Sequence, residues 1–137
     1  MSQLKQIFWK LEKGNYVIGK NPLVAIVEIG DYNLHLPPNF YGIKGKLFTP
    51  NLGIEKIIRN IHRAKTIKYL VIVGNKDVSY FYPREALIKL ILKGVDENLR
   101  IINARGYRPY LRNLKRDMIE EFRKKIKLID LFGEKEE

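Results

Sequence analysis

A chain of 137 residues, 45% of them hydrophobic, has the size and apolar content of one packed domain, which excludes a disordered chain as the starting point. It has no cysteine, so disulfide frameworks, cysteine nucleophiles, thiolate zinc sites and iron–sulfur clusters are excluded, while a net charge of +11 invites an anionic partner. No stretch approaches the roughly 20 apolar residues that span a bilayer, and residues 1–10 lack the apolar run of a signal peptide; the expectation is a cytoplasmic protein, and the composition fits a thermophile.

In chain order, short apolar runs at Tyr16-Val17-Ile18 and at Val24-Ala25-Ile26-Val27 with Ile29 predict strands. The second run is almost unbroken and suits a central strand covered on both faces. Gly30-Asp31 ends it, Pro37-Pro38-Asn39 marks a loop, and Gly42 to Leu47 predicts a glycine-punctuated strand. Thr49 to Gly53 opens a helix whose Ile54, Ile57, Ile58 and Ile61 recur at i, i+3, i+4 and i+7, a core-facing stripe. Its other face carries Lys56, Arg59, Arg63 and Lys65, whose plain reading is solvent exposure. Tyr69 to Val73 predicts a buried strand stopped by Gly74, and Pro83 starts a second helix that Gly94 ends. Leu99 to Ala104 predicts another strand, Leu114, Met118, Ile119, Phe122 and Ile126 a third amphipathic helix, and Ile126 to Leu131 a last short strand.

Strands alternating with helices imply parallel pairing through right-handed crossovers. The expected fold is α/β, a Rossmann-like three-layer sandwich with a mostly parallel central sheet, forming a single domain over residues 1–137. Ligands of such sheets sit outside the carboxyl ends of the strands, which points to Gly30-Asp31, Pro50 to Gly53, Gly74 to Tyr82 and Asn103 to Tyr107.

The chemistry available there is limited. Neither the dinucleotide nor the nucleoside-triphosphate glycine motif is present. Of the two histidines, His62 reads as a surface residue; His35, placed near the functional edge, is only a remote metal candidate. No nucleophile elbow surrounds Ser79. Asp31 and Asp77 reach the edge, where helix capping is favoured over general-base work, so no catalytic residue is assigned. Arg100, Arg105, Arg108, Arg112, Lys115 and Arg116 form a basic stretch without intervening acids, interleaved with Tyr107 and Tyr110. That composition suits RNA or ribosome contact; the alternative is core tyrosines and solvated arginines.

Several segments carry a resemblance: Trp9, Lys13-Gly14-Asn15-Tyr16, the stretch from Asn21-Pro22 to Val27, and above all Asn51-Leu52-Gly53-Ile54-Glu55-Lys56. Gly74, Gly94-Val95-Asp96, Ile101-Ile102, Ala104, Gly106 and Ile129-Asp130-Leu131 extend it over nearly the whole chain. Together they resemble the soluble, cobamide-binding domain of the A subunit of archaeal tetrahydromethanopterin S-methyltransferase. The resemblance implies a corrinoid such as cobalamin as cofactor and, if the chain were an enzyme, part of a corrinoid-dependent methyltransferase. In that family the loop after the Gly74 strand continues Glu-Val-Lys-Gly-His, and its histidine is the lower axial ligand of cobalt. Here Asp77-Val78 match Glu-Val with one inserted residue, and Phe81, which has no lone pair to donate, falls on the histidine. A family loop of small residues becomes Asn103-Ala104-Arg105-Gly106-Tyr107. The family's carboxy-terminal membrane helix has no counterpart, which implies a free-standing relative for which other methyltransferase subunits are not expected as partners.

The resulting expectation is a non-catalytic relative that binds a phosphate-bearing ligand, a corrinoid without histidine ligation being one form of it. The residues assigned to it are Gly30, Asn51, Leu52, Gly53, Gly74, Phe81, Arg84, Ala104, Arg105 and Gly106. The alternative is a basic RNA- or ribosome-binding protein that uses Arg100, Arg105, Tyr107, Arg108, Arg112, Lys115 and Arg116.

Overall fold

The run Val24–Ile29 has almost no polar residue, so it is stable only where both of its faces and both of its edges are covered. A computed structural model, which describes residues 16–133, places it so. Five strands, β1 (Tyr16–Ile18), β2 (Val24–Ile29), β3 (Ile43–Leu47), β4 (Tyr69–Val73) and β5 (Lys127–Asp130), form one sheet in the order β1-β3-β2-β4-β5. β1 runs antiparallel to β3, and the remaining pairs are parallel. Three helices accompany them, α1 (Leu52–Arg63), α2 (Pro83–Lys93) and α3 (Arg116–Lys125). The matches noted at Trp9 and Lys13 to Asn15 lie outside the described residues.

Alternation sorts the strands into two faces. Ala25, Val27 and Ile29, with Leu70 and Ile72, share one core with Ile54, Ile58 and Ile61 of α1, Ala86, Leu87 and Leu90 of α2, and Ile119 and Phe122 of α3. On the other face Ile26 and Val73 pack with Tyr41, Tyr32, Leu34 and Leu36 from the connection between β2 and β3. The protein is thus a mixed α/β fold with a mostly parallel sheet. Among the described residues its three α-helices lie on one face, and a strap, residues 30–42, with a 3-10 turn at Pro38–Phe40, covers the other. No helix of the described residues is long and apolar enough to cross a membrane.

The strap is fixed by a buried charge. Glu28 of β2 is buried on the strap side, with Lys44 and Lys46 of β3 at 3.5 and 3.7 Å. Its Oε2 accepts the Leu34 N–H at 2.6 Å, while Lys44 and Lys46 donate to the carbonyls of Leu34 and Tyr32, each at 2.6 Å.

Caps delimit the helices. Asn51 accepts the Leu52 N–H and Thr49 Oγ1 the Gly53 N–H at the start of α1. Gly94, at φ 83°, ends α2, and Arg123 of α3 donates to the last carbonyls there, Leu90 and Ile91. The strand expected over residues 99–104 does not form. Two isolated bridges, Val95 with Ile101 and Arg100 with Tyr110, replace it. The cause is local: Asp96 Oδ1 accepts the N–H groups of Asn98 and Arg100, and Leu99 and Asn103 take positive φ, so the backbone curls instead of extending. Ile101 and Ala104 are buried nonetheless, which is the pattern that reads as a strand.

Two stability predictions follow from these charges. Glu28→Gln leaves two lysines facing an uncharged amide; because both ammonium groups keep some solvent, the expected loss is about 2 kcal/mol, below the full cost of breaking a buried pair, measured by urea unfolding. Lys125 donates to the Ile61 carbonyl at 3.0 Å. Burial lowers its pKa from 10.5, with Glu121 opposing the shift and Lys65 adding to it. Between the lowered folded value and 10.5 the unfolded chain holds the proton that the folded chain has lost, so stability rises with pH in that window. Urea unfolding of wild type and Lys125→Met at neutral pH and near pH 10 should show wild type gaining relative to the variant.

Candidate functional site

The chain leaves β2 toward β3 but leaves β4 toward β5, so the two connections part above the adjacent carboxyl ends of these strands. A crevice of about 440 Å³ lies there, lined by Gly30, Asp31, Phe48, Asn75, Lys76 and Val78 among others. Gly30 has φ 63°, and a Cβ on it would stand 3.2 Å from Val78, so its backbone passes close under the wall. Gly74 backs onto Ile29 and Phe132, and a Cβ there would lie 3.0 Å from Ile29. A second, mostly apolar cavity of about 250 Å³ lies under α1 against Ala25, Val27 and Leu70.

Asp77 forms the hinge of the β4 loop. Oδ1 accepts the N–H groups of Val78 and Arg84, and Oδ2 that of Glu85, so the carboxylate caps α2. Capping, not general-base work, is the role this geometry gives it. Beyond it the loop closes into an aromatic knot. The rings of Tyr80 and Tyr107 stack at 4.8 Å, Phe81 sits edge-on to both at 5.1 and 6.2 Å, and the Tyr107 N–H donates to the Tyr80 carbonyl. A Cβ at Gly106 would lie 1.9 Å from the Phe81 carbonyl oxygen, so only glycine fits there. Asn51 Nδ2 donates to the Arg108 carbonyl, and buried Glu55 accepts the backbone N–H and the side-chain Nδ2 of Asn113, which ties residues 105–115 to α1. Tyr80, Tyr82, Asn103 and Arg108 all have φ between 44 and 75°, a conformation costing each on the order of 1 kcal/mol or more unless its surroundings impose it.

The expected edge loops therefore do converge, but many of the residues singled out there are engaged in the fold. Gly53 packs on Leu47, Ala104 and Gly106 are buried, and Leu52 is exposed. Arg84 pairs with Asp130 and lies over the Phe132 ring. Arg105 pairs with Glu85 at 2.7 Å and lies over Tyr82. Arg100 donates to the Ile101 and Ala104 carbonyls and Arg116 to that of Asp96. Arg108 and Arg112 stack on Tyr107 and Tyr110, and Lys115 is exposed at the start of α3. The buried carboxylates Glu28 and Glu55 escaped the sequence reading. Glu28 had a visible signal, a single charge inside an otherwise apolar strand; Glu55, beside the isoleucine stripe of α1, had a weaker one.

Cobalt ligation can be tested against these residues. Phe81 offers no lone pair, and both oxygens of Asp77 are committed to N–H groups. His35, expected near the edge, is exposed on the strap, one residue beyond Leu34, whose carbonyl meets Lys44, so the strap has run back from the edge by that point. Among the described residues no group of three His, Cys, Asp or Glu side chains could hold a metal ion. A histidine-ligated cobamide does not fit this donor set.

Residues 4–137 match the MtrA family model, which describes the A subunit of tetrahydromethanopterin S-methyltransferase. The chain is 36% identical over 128 residues to the A subunit of this methyltransferase from Methanohalophilus mahii, covering 91% of this chain and 52% of that one. It is 34% identical over 126 residues to the A 2 subunit from Methanothermobacter thermautotrophicus, covering 90% and 68%, and 31% identical over 128 residues to the A subunit from Methanocaldococcus jannaschii, covering 90% and 52%. The chain thus spans about half to two thirds of the length of these relatives. Each relative is named as one subunit of a methyltransferase, which overturns the expectation that other methyltransferase subunits are not partners.

Asp77 should matter to the fold before it matters to any ligand. Asp77→Ala removes the acceptor of three N–H groups, and urea unfolding should show a loss of about 1–2 kcal/mol, the usual cost of deleting a helix cap; Asp77→Asn, which keeps one acceptor oxygen, should lose less.

Proposed function

The chain belongs to the A-subunit family of tetrahydromethanopterin S-methyltransferase, and on that premise we propose that it is a non-catalytic, ligand-binding member that works in the cytoplasm beside other methyltransferase subunits. Its ligand bears phosphate, a corrinoid held without a cobalt–histidine bond, and occupies the Rossmann-like crevice between the carboxyl ends of β2 and β4. One observation carries this reading: Phe81 stands where the family's cobalt ligand is expected and is locked into packing with Tyr80, Gly106 and Tyr107, while the neighbouring crevice stays open. Exposed Lys76 and Asn75 at the lip of the crevice supply a cation and an amide for phosphate, and Gly30 lets the ligand approach the backbone. The RNA reading gains nothing here, because the guanidinium groups of Arg100, Arg105 and Arg116 are bound to the chain's own carbonyls and carboxylates.

Anaerobic incubation with hydroxocobalamin, gel filtration and an absorption spectrum test the proposal, with thermal melting in inorganic pyrophosphate as a second probe. Corrinoid should co-elute with a spectrum lacking histidine coordination, unchanged in His35→Ala and weakened in Lys76→Glu; Phe81→His should shift the spectrum toward the histidine-bound form. A histidine-bound spectrum in wild type overturns the argument from Phe81. If cobalamin does not co-elute and pyrophosphate does not raise Tm, the ligand-binding reading is wrong.

A further inference from the structure

Beside the crevice, Tyr80, Tyr107 and Arg108 make an outward-facing stack, with Leu52 exposed next to Asn51, which bonds the Arg108 carbonyl. Leu52 is 63% exposed, Tyr80 59% and Tyr107 39%. The two tyrosines are stacked, the Arg108 guanidinium lies 5.1 Å over the Tyr107 ring, and the bond from Asn51 to the Arg108 carbonyl brings the Leu52 turn alongside. Solvation alone does not favour such residues at these positions. Tyr80 and Arg108 occupy positive φ, at 75 and 49°, where glycine or asparagine would sit with less strain. The surrounding loop is cationic: Arg112 and Lys115 are exposed, and no acidic residue occurs from 100 to 116.

We propose that this surface docks a protein partner that presents carboxylates around an apolar or aromatic centre. Tyrosine and arginine are the residue types that concentrate binding energy at protein interfaces, and Arg108 suits a carboxylate bidentately. A protein fits better than a nucleic acid for two reasons. Several guanidinium groups of the loop are already bound within the chain, and Leu52 offers apolar area that a phosphate backbone does not use. The inference rests on the partner half of the proposed function and is independent of the crevice ligand.

The test is fluorescence anisotropy of the full chain with three labelled polymers of equal length at one ionic strength: poly(Glu,Tyr), poly(Glu) and poly(U). Poly(Glu,Tyr) should bind tightest. Leu52→Glu and Arg108→Gly should weaken it by about tenfold, while Lys124→Ala on exposed α3 should change it less than about twofold. All three variants lower the net charge by one, so a difference among them is not general electrostatics. Both patch variants suit their backbone, an acid at a helix start and glycine at positive φ, and should retain the melting temperature of wild type. The proposal is overturned if poly(U) binds as tightly as poly(Glu,Tyr), or if Lys124→Ala weakens binding as much as the patch variants do.

Discussion

The carboxylate of Glu28 lies inside the central strand, and the path of the chain depends on how that charge is satisfied. Burying a charge costs several kcal/mol unless hydrogen bonds and counter-charges meet it. Here they come from the segment that β2 leads into and from the strand at which that segment arrives: the Leu34 N–H, Lys44 and Lys46. The lysines in turn hold the carbonyls of Leu34 and Tyr32. Strap and β2–β3 pairing therefore support one another, and the strap stays on the face away from the helices. Because the chain leaves β4 on the other side, the crevice between the two strand ends stays open.

The same economy governs the carboxyl edge. In a strongly basic chain the acids are the scarcer partners, and most of those at this edge are structural. Glu55 holds Asn113, Asp77 caps α2, Glu85 takes both the Arg105 N–H and its side chain, Asp96 curls the loop after α2, and Asp130 pairs with Arg84. The acids hold the loops together, and the surplus of positive charge is left to the surface. Against that background, an exposed tyrosine stack with Tyr80 held at positive φ needs a reason outside the chain's own packing.

Strong periodicity made most of the fold legible. The unbroken Val24–Ile29 run, the isoleucine stripe of α1, Pro83 and Gly94 each mark an element or an end that the structure contains. Residues 95–115 misled because Ile101, Ala104, Leu111 and Leu114 are buried through turns and side-chain bonds, which leave no period to read. At the site, convergence of the loops was legible from topology, and the capping role of Asp77 from its residue type. What the arginines touch was not, since the partners of Arg84 and Arg105 lie far along the chain. Nor was the position of His35, which depends on how far the strap runs back along the sheet. Phe81 was conspicuous only against the family's pattern.

The pairing of β4 with β5 carries a kinetic consequence. The sequence distance between paired strands is shortest for β2 with β3 (Ala25 with Ile43), grows through β1 with β3 (Tyr16 with Gly45) and β2 with β4 (Val24 with Tyr69), and is longest for β4 with β5 (Tyr69 with Lys127). The entropy of closing a loop grows slowly with its length, but distant pairing slows folding. Loop closure alone therefore favours the β2–β3 pair most and the β4–β5 pair least. Arg84 with Asp130 and the Gly133 N–H with the Gly74 carbonyl belong to that most distant pairing, whereas the residues that line the crevice all lie between Ile29 and Val78 and need only the earlier pairings.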